Sequence, residues 1–281
     1  DRQTKTDRWL VNSFQSQMLA PQWTYGWNLR AASDDEYPSD FSKSVNSTAE
    51  RQLLRELRTD YVSRYWSLSA RAQGYQVLQD PASILNPALT VPRPYDRLPH
   101  VNLRAARYDV GGFDWALDAE AVRFSHPDDK LVQGVRTVVN PQLSYPIVRP
   151  GYFITPKVMV HSTKYQLDAD FNNSREYSRT LPTYSVDSGL VFERPSSLFG
   201  TPVTQTLEPR MFYVYTPYRD QRKFPNFDSA ETGFNFAQIF TENRFIGADR
   251  ISDASQVTMA IVSRYTEQSG AERLRLALGQ R

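Results

Sequence analysis

Apolar and polar residues alternate with a period of two over much of the chain. Trp23, Tyr25, Trp27, Leu29 and Ala31 alternate with Thr24, Gly26, Asn28 and Arg30, and Phe113, Trp115, Leu117, Ala119 and Ala121 with Asp114, Ala116, Asp118 and Glu120. Tyr152, Ile154, Pro156, Val158 and Val160 alternate with Phe153, Thr155, Lys157, Met159 and His161, and Leu274, Leu276 and Leu278 with Arg273, Arg275 and Ala277. Successive side chains of a strand point to opposite faces, so each run predicts a strand with one apolar and one polar flank. Weaker segments around Trp9, Leu57, Trp66, Leu103, Val139, Tyr184, Met211 and Ile261 bring the expectation to about twelve strands. ERQLLREL (50–57) also fits a helical turn, with Leu53, Leu54 and Leu57 on one face. It is read as a strand because it leads into a hairpin.

The connections sort by length. Short ones, such as MLAPQ (18–22), the segment near 62–64, GG (111–112) and EQSG (267–270), take turns with long polar ones, such as SDDEYPSDFSKSVNS (33–47), 79–99, DADFNNSREYSRT (168–180) and 217–256. Short turns at one end and long loops at the other are the pattern of an outer-membrane barrel. The predicted fold class is therefore all-β, an antiparallel up-and-down transmembrane β-barrel segment, with residues 1–281 in one domain.

TLEPRMFYVYTPY (206–218) sharpens the choice. Leu207, Met211, Tyr213 and Tyr215 share one flank, and Glu208 with Arg210, expected as an ion pair, shares the other. In a soluble sheet the first flank is core and the second meets water. In a barrel the first meets lipid and the second an enclosed aqueous space. Only the barrel also accounts for the sorted loops and for aromatic residues near strand ends, among them Trp9, Trp23, Tyr145, Tyr152, Tyr213 and Tyr215. Pro141, Pro156 and Pro209 count against it, because each lacks a ladder N–H and implies a local loss of pairing.

Composition narrows the classes. Apolar residues make up 40% and aromatics 13%. The absence of a long apolar run excludes a membrane-spanning helix and leaves strands open. The net charge of +2 gives no nucleic-acid footprint. With no cysteine, disulfides and thiol chemistry are excluded within these residues. Nucleophile elbows, phosphate loops and dinucleotide fingerprints are absent. His100, His126 and His161 stand far apart, so no catalytic residue, metal site or cofactor is expected. Asp118 with Glu120 could pass for paired carboxylates, yet same-flank acids on a strand are common. The acids of SDDEYPSD lack ordered calcium-loop spacing and read as a solvated loop.

TLEPRMFYVYTPYRDQ, followed by the NFDS turn (226–229), FAQIFTENRF (236–245), GADRI (247–251) and the closing ERLRLALGQ (272–280), resembles the LptD family of lipopolysaccharide-assembly proteins; weaker likeness in VVNPQLSYPIV and LVFER extends it over the chain. The resemblance implies the central portion of a larger barrel in the outer membrane of a Gram-negative bacterium. It further implies lipopolysaccharide as cargo, delivered by a periplasmic Lpt bridge through a domain outside these residues and released into the outer leaflet. An LptE-like lipoprotein plug is the implied partner. The competing expectation is a porin or surface-receptor barrel for small solutes.

Two groups of residues are singled out. The 217–256 stretch is rich in rings, and Asp228 with Glu231 resembles a capping box ahead of a short helix bearing Phe236, Ile239 and Phe240. Phe234, Phe236, Ile239, Phe240, Phe245 and Arg250 are candidates to contact the plug; the alternative is a lid packed on neighbouring loops. Asp114, Asp118, Glu120, Lys157, Glu208 and Arg210 are expected to face the lumen, as a track for a lipid headgroup or as the ordinary charge of a hydrated interior. Trp23, Trp27, Trp115, Leu117, Val158 and Tyr213 are expected to face outer-membrane lipid.

Overall fold

A computed structural model describes residues 7–41, 51–233 and 235–281. Phe234 and part of the first long connection lie outside the described residues. Sixteen strands follow in chain order. They are β1 (Leu10–Ala20), β2 (Trp23–Ala32), β3 (Gln52–Val62), β4 (Trp66–Val77), β5 (Asp96–Val110), β6 (Phe113–Ser125), β7 (Gly134–Ser144) and β8 (Ile147–Arg149). Then come β9 (Tyr152–Phe171), β10 (Ser174–Leu190), β11 (Phe192–Leu198), β12 (Thr201–Thr216), β13 (Ala230–Glu231), β14 (Phe245–Ile246), β15 (Ala254–Thr266) and β16 (Glu272–Gln280).

Twelve of them form one antiparallel meander in the order β1-β2-β3-β4-β5-β6-β7-β9-β10-β12-β15-β16, with β8 on β9 and β11 on β12. β1 and β16 stand at the two ends of this order, so among the described residues the sheet is not closed. Within the segment expected as strand at 50–57, residues 52–57 begin β3, and Glu50 lies outside the described residues. Backbone contacts group into two units, and β5, β6, β7, β9 and β10 contribute residues to both.

One expected connection is not a loop. DADFNNSREYSRT forms the facing ends of β9 and β10 around a turn at Asn172 and Asn173, whose φ values are +48° and +66°. Asparagine tolerates the left-handed region that a two-residue hairpin of this kind requires, so a polar run became a tight turn between long strands. Gly111 and Gly112 meet the same demand between β5 and β6, at φ +64° and +85°.

Pro209 is accommodated by a gap in the ladder. β10 pairs with β12 down to Gly189↔Arg210, and pairing resumes on β11 at Phe192↔Leu207. Between them Val191 N donates to Gly151 O at 2.9 Å, outside that ladder. The residue without an N–H thus falls where none is needed.

The two flanks differ in burial, most plainly on β12. On β12, Leu207, Met211, Tyr213 and Tyr215 are exposed, and across the ladder stand exposed Ile261, Met259 and Val257. Glu208 and Arg210 are half-buried, and Phe212, Val214 and Thr216 are buried. β3 repeats the arrangement with Leu57 exposed beside buried Glu56. The chain's largest fully buried side chains are two arginines, Arg136 and Arg179. A soluble core inverts this order.

Candidate functional site: the polar flank and the loop over it

The polar flank organises ions by cross-strand neighbours. Glu208 and Arg210 do not pair with each other, contrary to expectation. Arg210 Nη2 reaches Asp187 Oδ2 at 2.5 Å, and Arg264 Nε lies 3.2 Å from Glu208 Oε1. Both partners are diagonal neighbours across the ladder, since Asp187 stands opposite Phe212 and Arg264 opposite Thr206; long side chains span that diagonal.

Earlier in the chain, Glu120 lies between Arg136, at 2.7 Å, and His100, at 3.3 Å. The Arg136 guanidinium also stacks on Phe124, 4.9 Å from the ring centre. Asp118 accepts from Gln142 Nε2 at 3.2 Å, and Asp114 accepts from Asp109 N at 2.8 Å beside the GG turn. Ahead of β1, Arg8 binds Asp34 at 2.6 Å and Asp40 at 2.8 Å. Its hydrogen bond holds the Asp34 carboxyl down at about 2. Two acids of the SDDEYPSD loop are therefore held by a guanidinium. Among the described residues no group of three His, Asp or Glu side chains is arranged to hold a metal ion.

The connection 217–253 folds onto this flank of β9, β10, β12 and β15. Among its described residues there is no capped helix. Ala230–Glu231 pairs with Phe245–Ile246, and Gln238–Phe240 is a single 3-10 turn without a side-chain cap. Asp228 contributes its backbone instead, because Phe227 N and Asp228 N both donate to Asp249 Oδ2, at 2.7 and 2.9 Å. Ser229 Oγ accepts from Asp249 N and Arg250 N. The NFDS turn and the GADRI corner are thus one hydrogen-bonded knot. Arg250 tightens it by donating to Pro225 O and Phe224 O.

Side chains of the sheet hold the loop down, among them Ser185 of β10, whose Oγ donates to Glu242 Oε1 at 3.2 Å. Arg179 of β10, 2% exposed, donates to Asp249 O and Ala248 O at 2.8 Å, to Gln221 Oε1 at 2.5 Å and to Thr163 Oγ1 at 3.1 Å. Lys157 Nζ meets Glu242 Oε1 at 2.6 Å, and Thr258 Oγ1 donates to Ile239 O at 2.8 Å. Ile239 is buried, and Phe240 packs against Phe212, Val214 and Ala254 with the Arg210 guanidinium 4.1 Å from its ring centre. Phe236 meets Phe240 edge-on at 5.7 Å, and Phe245 lies in the two-residue β14.

The structure therefore brings Lys157, Glu208, Arg210, Ile239 and Phe240 into one neighbourhood, with Arg250 inside the loop. Arg179, Asp187, Glu242 and Asp249 complete it and were not singled out from sequence. Of the residues expected to meet lipid, Trp23 and Tyr213 are exposed, and Trp27, Trp115, Leu117 and Val158 are half-buried. Among the described residues no helix is long and apolar enough to cross a membrane, which leaves crossing by strands untouched.

An antiparallel meander with an exposed aliphatic and aromatic flank, and with ion pairs on the other, is a sheet of the outer-membrane β-barrel class. Within that class the chain belongs to the LptD family, whose model, LPS transport system D, matches residues 6–281. The LPS-assembly protein LptD of Ralstonia nicotianae is 42% identical over 288 residues, covering 100% of this chain and 35% of that protein. Its counterpart from Aromatoleum aromaticum is 44% identical over 285 residues with the same coverage, and that from Bordetella parapertussis 41% over 297, covering 100% and 37%. The chain spans about a third of the length of the curated relatives it matches.

Proposed function

We propose that this chain forms part of the wall of a single barrel in a Gram-negative outer membrane, and that the barrel passes lipopolysaccharide into the outer leaflet with an LptE-like lipoprotein plug. Lipopolysaccharide arrives over a periplasmic Lpt bridge, and the wall performs no turnover chemistry. Family membership and the name of the relatives, LPS-assembly protein, support the cargo. The observation that carries the membrane reading is the inverted burial of the sheet, with Leu57, Met211 and Val257 exposed and Arg136 and Arg179 buried. On this reading Trp23, Trp27, Trp115, Leu117, Val158 and Tyr213 meet lipid, and Asp114, Asp118, Glu120, Lys157, Glu208 and Arg210 face water in the lumen. The loop 217–253 narrows that lumen, and its remaining surface, with Phe236 and Phe245, faces the plug.

Conductance tests the assignment. The full-length protein with its plug, in a planar bilayer, is expected to pass little ion current, because a translocon for a large amphiphile is stoppered between transfers. A steady open-pore current with the plug bound would overturn it in favour of a porin or receptor barrel.

A further inference from the structure

We propose that the polar flank carries a pocket for a phosphorylated sugar, formed where Arg264 of β15 and Arg275 of β16 stand opposite each other beside the 217–253 loop. This rests on the reading above that lipopolysaccharide, whose sugars carry phosphate, passes along this flank.

A cavity of about 190 Å³ lies there between the sheet and the loop. Small residues make room for it. Arg210 of β12 faces Ala260 of β15, which in turn faces Gly279 of β16. A Cβ at Gly279 would come within 2.7 Å of Ile239 Cδ1 and 3.1 Å of Phe236, so the bare backbone lets the loop settle on β16. Phe153, Leu190, Phe236 and Phe240 supply the apolar walls.

The charged lining is three guanidiniums, Arg210, Arg264 and Arg275, against one carboxylate, Glu208. Arg210 is already taken up by Asp187, through both Nε and Nη2. The other two are less settled. Arg264 and Arg275 are direct cross-strand partners, and like charges so placed repel. Arg264 lies 3.2 Å from Glu208 Oε1 and 3.5 Å from Glu272 Oε2, yet among the described residues its buried Nε makes no hydrogen bond. Glu208 Oε1 accepts instead from Thr206 Oγ1 at 2.7 Å. A buried N–H without an acceptor is uncommon, and an anionic oxygen in the cavity supplies one.

The arrangement favours phosphate among anions. Guanidinium forks bind phosphate oxygens in pairs. A phosphate monoester offers three acceptor oxygens and close to two charges, enough to bridge both arginines and offset their repulsion. A carboxylate, with a single charge, offsets only one of them. The apolar walls suit the C–H face of the sugar ring that carries the phosphate.

The test uses the full-length protein with its plug in nanodiscs. N-acetylglucosamine 1-phosphate, N-acetylglucosamine and inorganic phosphate are titrated separately, with saturation-transfer NMR for the two sugars and phosphorus line width for the two phosphates. The sugar phosphate is expected to bind about tenfold or more tightly than either of the others. Arg264→Gln and Arg275→Gln should each weaken it by about fivefold or more. Arg275→Lys, which keeps the charge, should lose less, and Arg175→Gln at the exposed start of β10 should change nothing. If the glutamine variants do not fold, the three ligands compared on the wild type decide. N-acetylglucosamine binding as tightly as its phosphate, or binding untouched by the glutamine variants, overturns the pocket; inorganic phosphate binding as tightly overturns its assignment to a sugar. Failure to bind while the ion current stays stoppered strikes the pocket and leaves the lipopolysaccharide reading standing. Binding together with a steady open-pore current strikes that reading and leaves the pocket.

Discussion

Leu57→Arg is expected to prevent the full-length protein from accumulating as a folded barrel, although arginine is already the native residue at the next position. Leu57 sits at the middle of β3, 54% exposed, opposite Trp27 on one neighbour and Ala72 on the other. Arg58 points to the opposite flank, where Arg71 and Gly26 are its cross-strand partners. If the outward flank meets hydrocarbon, an arginine at mid-strand costs about 2–4 kcal/mol. If it meets water, an exposed substitution of this kind stays within about 0.5 kcal/mol. The readout is the fraction of protein showing heat-modifiable gel mobility in outer-membrane extracts. Loss in Leu57→Arg alongside wild-type levels in Leu57→Phe is expected; equal levels in both would place that flank in water.

Arg179→Ala is expected to release the 217–253 loop while leaving the strands assembled. The guanidinium donates to two loop carbonyls and Gln221 from a buried position, so truncation removes one donor from each and leaves Asp249 O and Gln221 Oε1 to Arg250 Nη1 and Ile251 N. A buried acceptor left unsatisfied in this way costs about 1–3 kcal/mol. Trypsin should then cut at Arg219, Arg222 or Lys223 many times faster than in the wild type, at unchanged heat-modifiable mobility. If the loop meets the plug as proposed, co-purification of the plug should fall with it, because the loop surface is no longer fixed. A freed loop with undiminished co-purification would remove the loop from that interface.

The strands were legible because a period of two is a local signal, and it located β2, β6, β9 and β16 from their own residues. The turn at Asn172 and Asn173 was obscured by the polar residues around it. There β9 and β10, 20 and 17 residues long, run well beyond the roughly 9–11 residues of a bilayer crossing. Strand ends outside the membrane have no reason to be apolar. Glu208 and Arg210 illustrate a second limit: the sequence named both ions and missed their partners, because Asp187 and Arg264 become neighbours only once register is known. The clamp on the loop was out of reach for the same reason, with Arg179 and Asp249 separated by 70 residues. The motifs NFDS and GADRI marked its two halves, and neither motif by itself predicts that they touch.

The most direct measurement is a spin-label scan along β12 of the full-length protein with its plug in lipid bilayers, with single Leu207→Cys, Glu208→Cys, Arg210→Cys, Met211→Cys and Tyr213→Cys variants. Accessibility to molecular oxygen, which concentrates in hydrocarbon, is compared with that to a water-soluble nickel chelate. Positions 207, 211 and 213 are expected to collide with oxygen, and 208 and 210 with the chelate. Chelate access at 207, 211 and 213, with 208 and 210 shielded from it, would contradict the account.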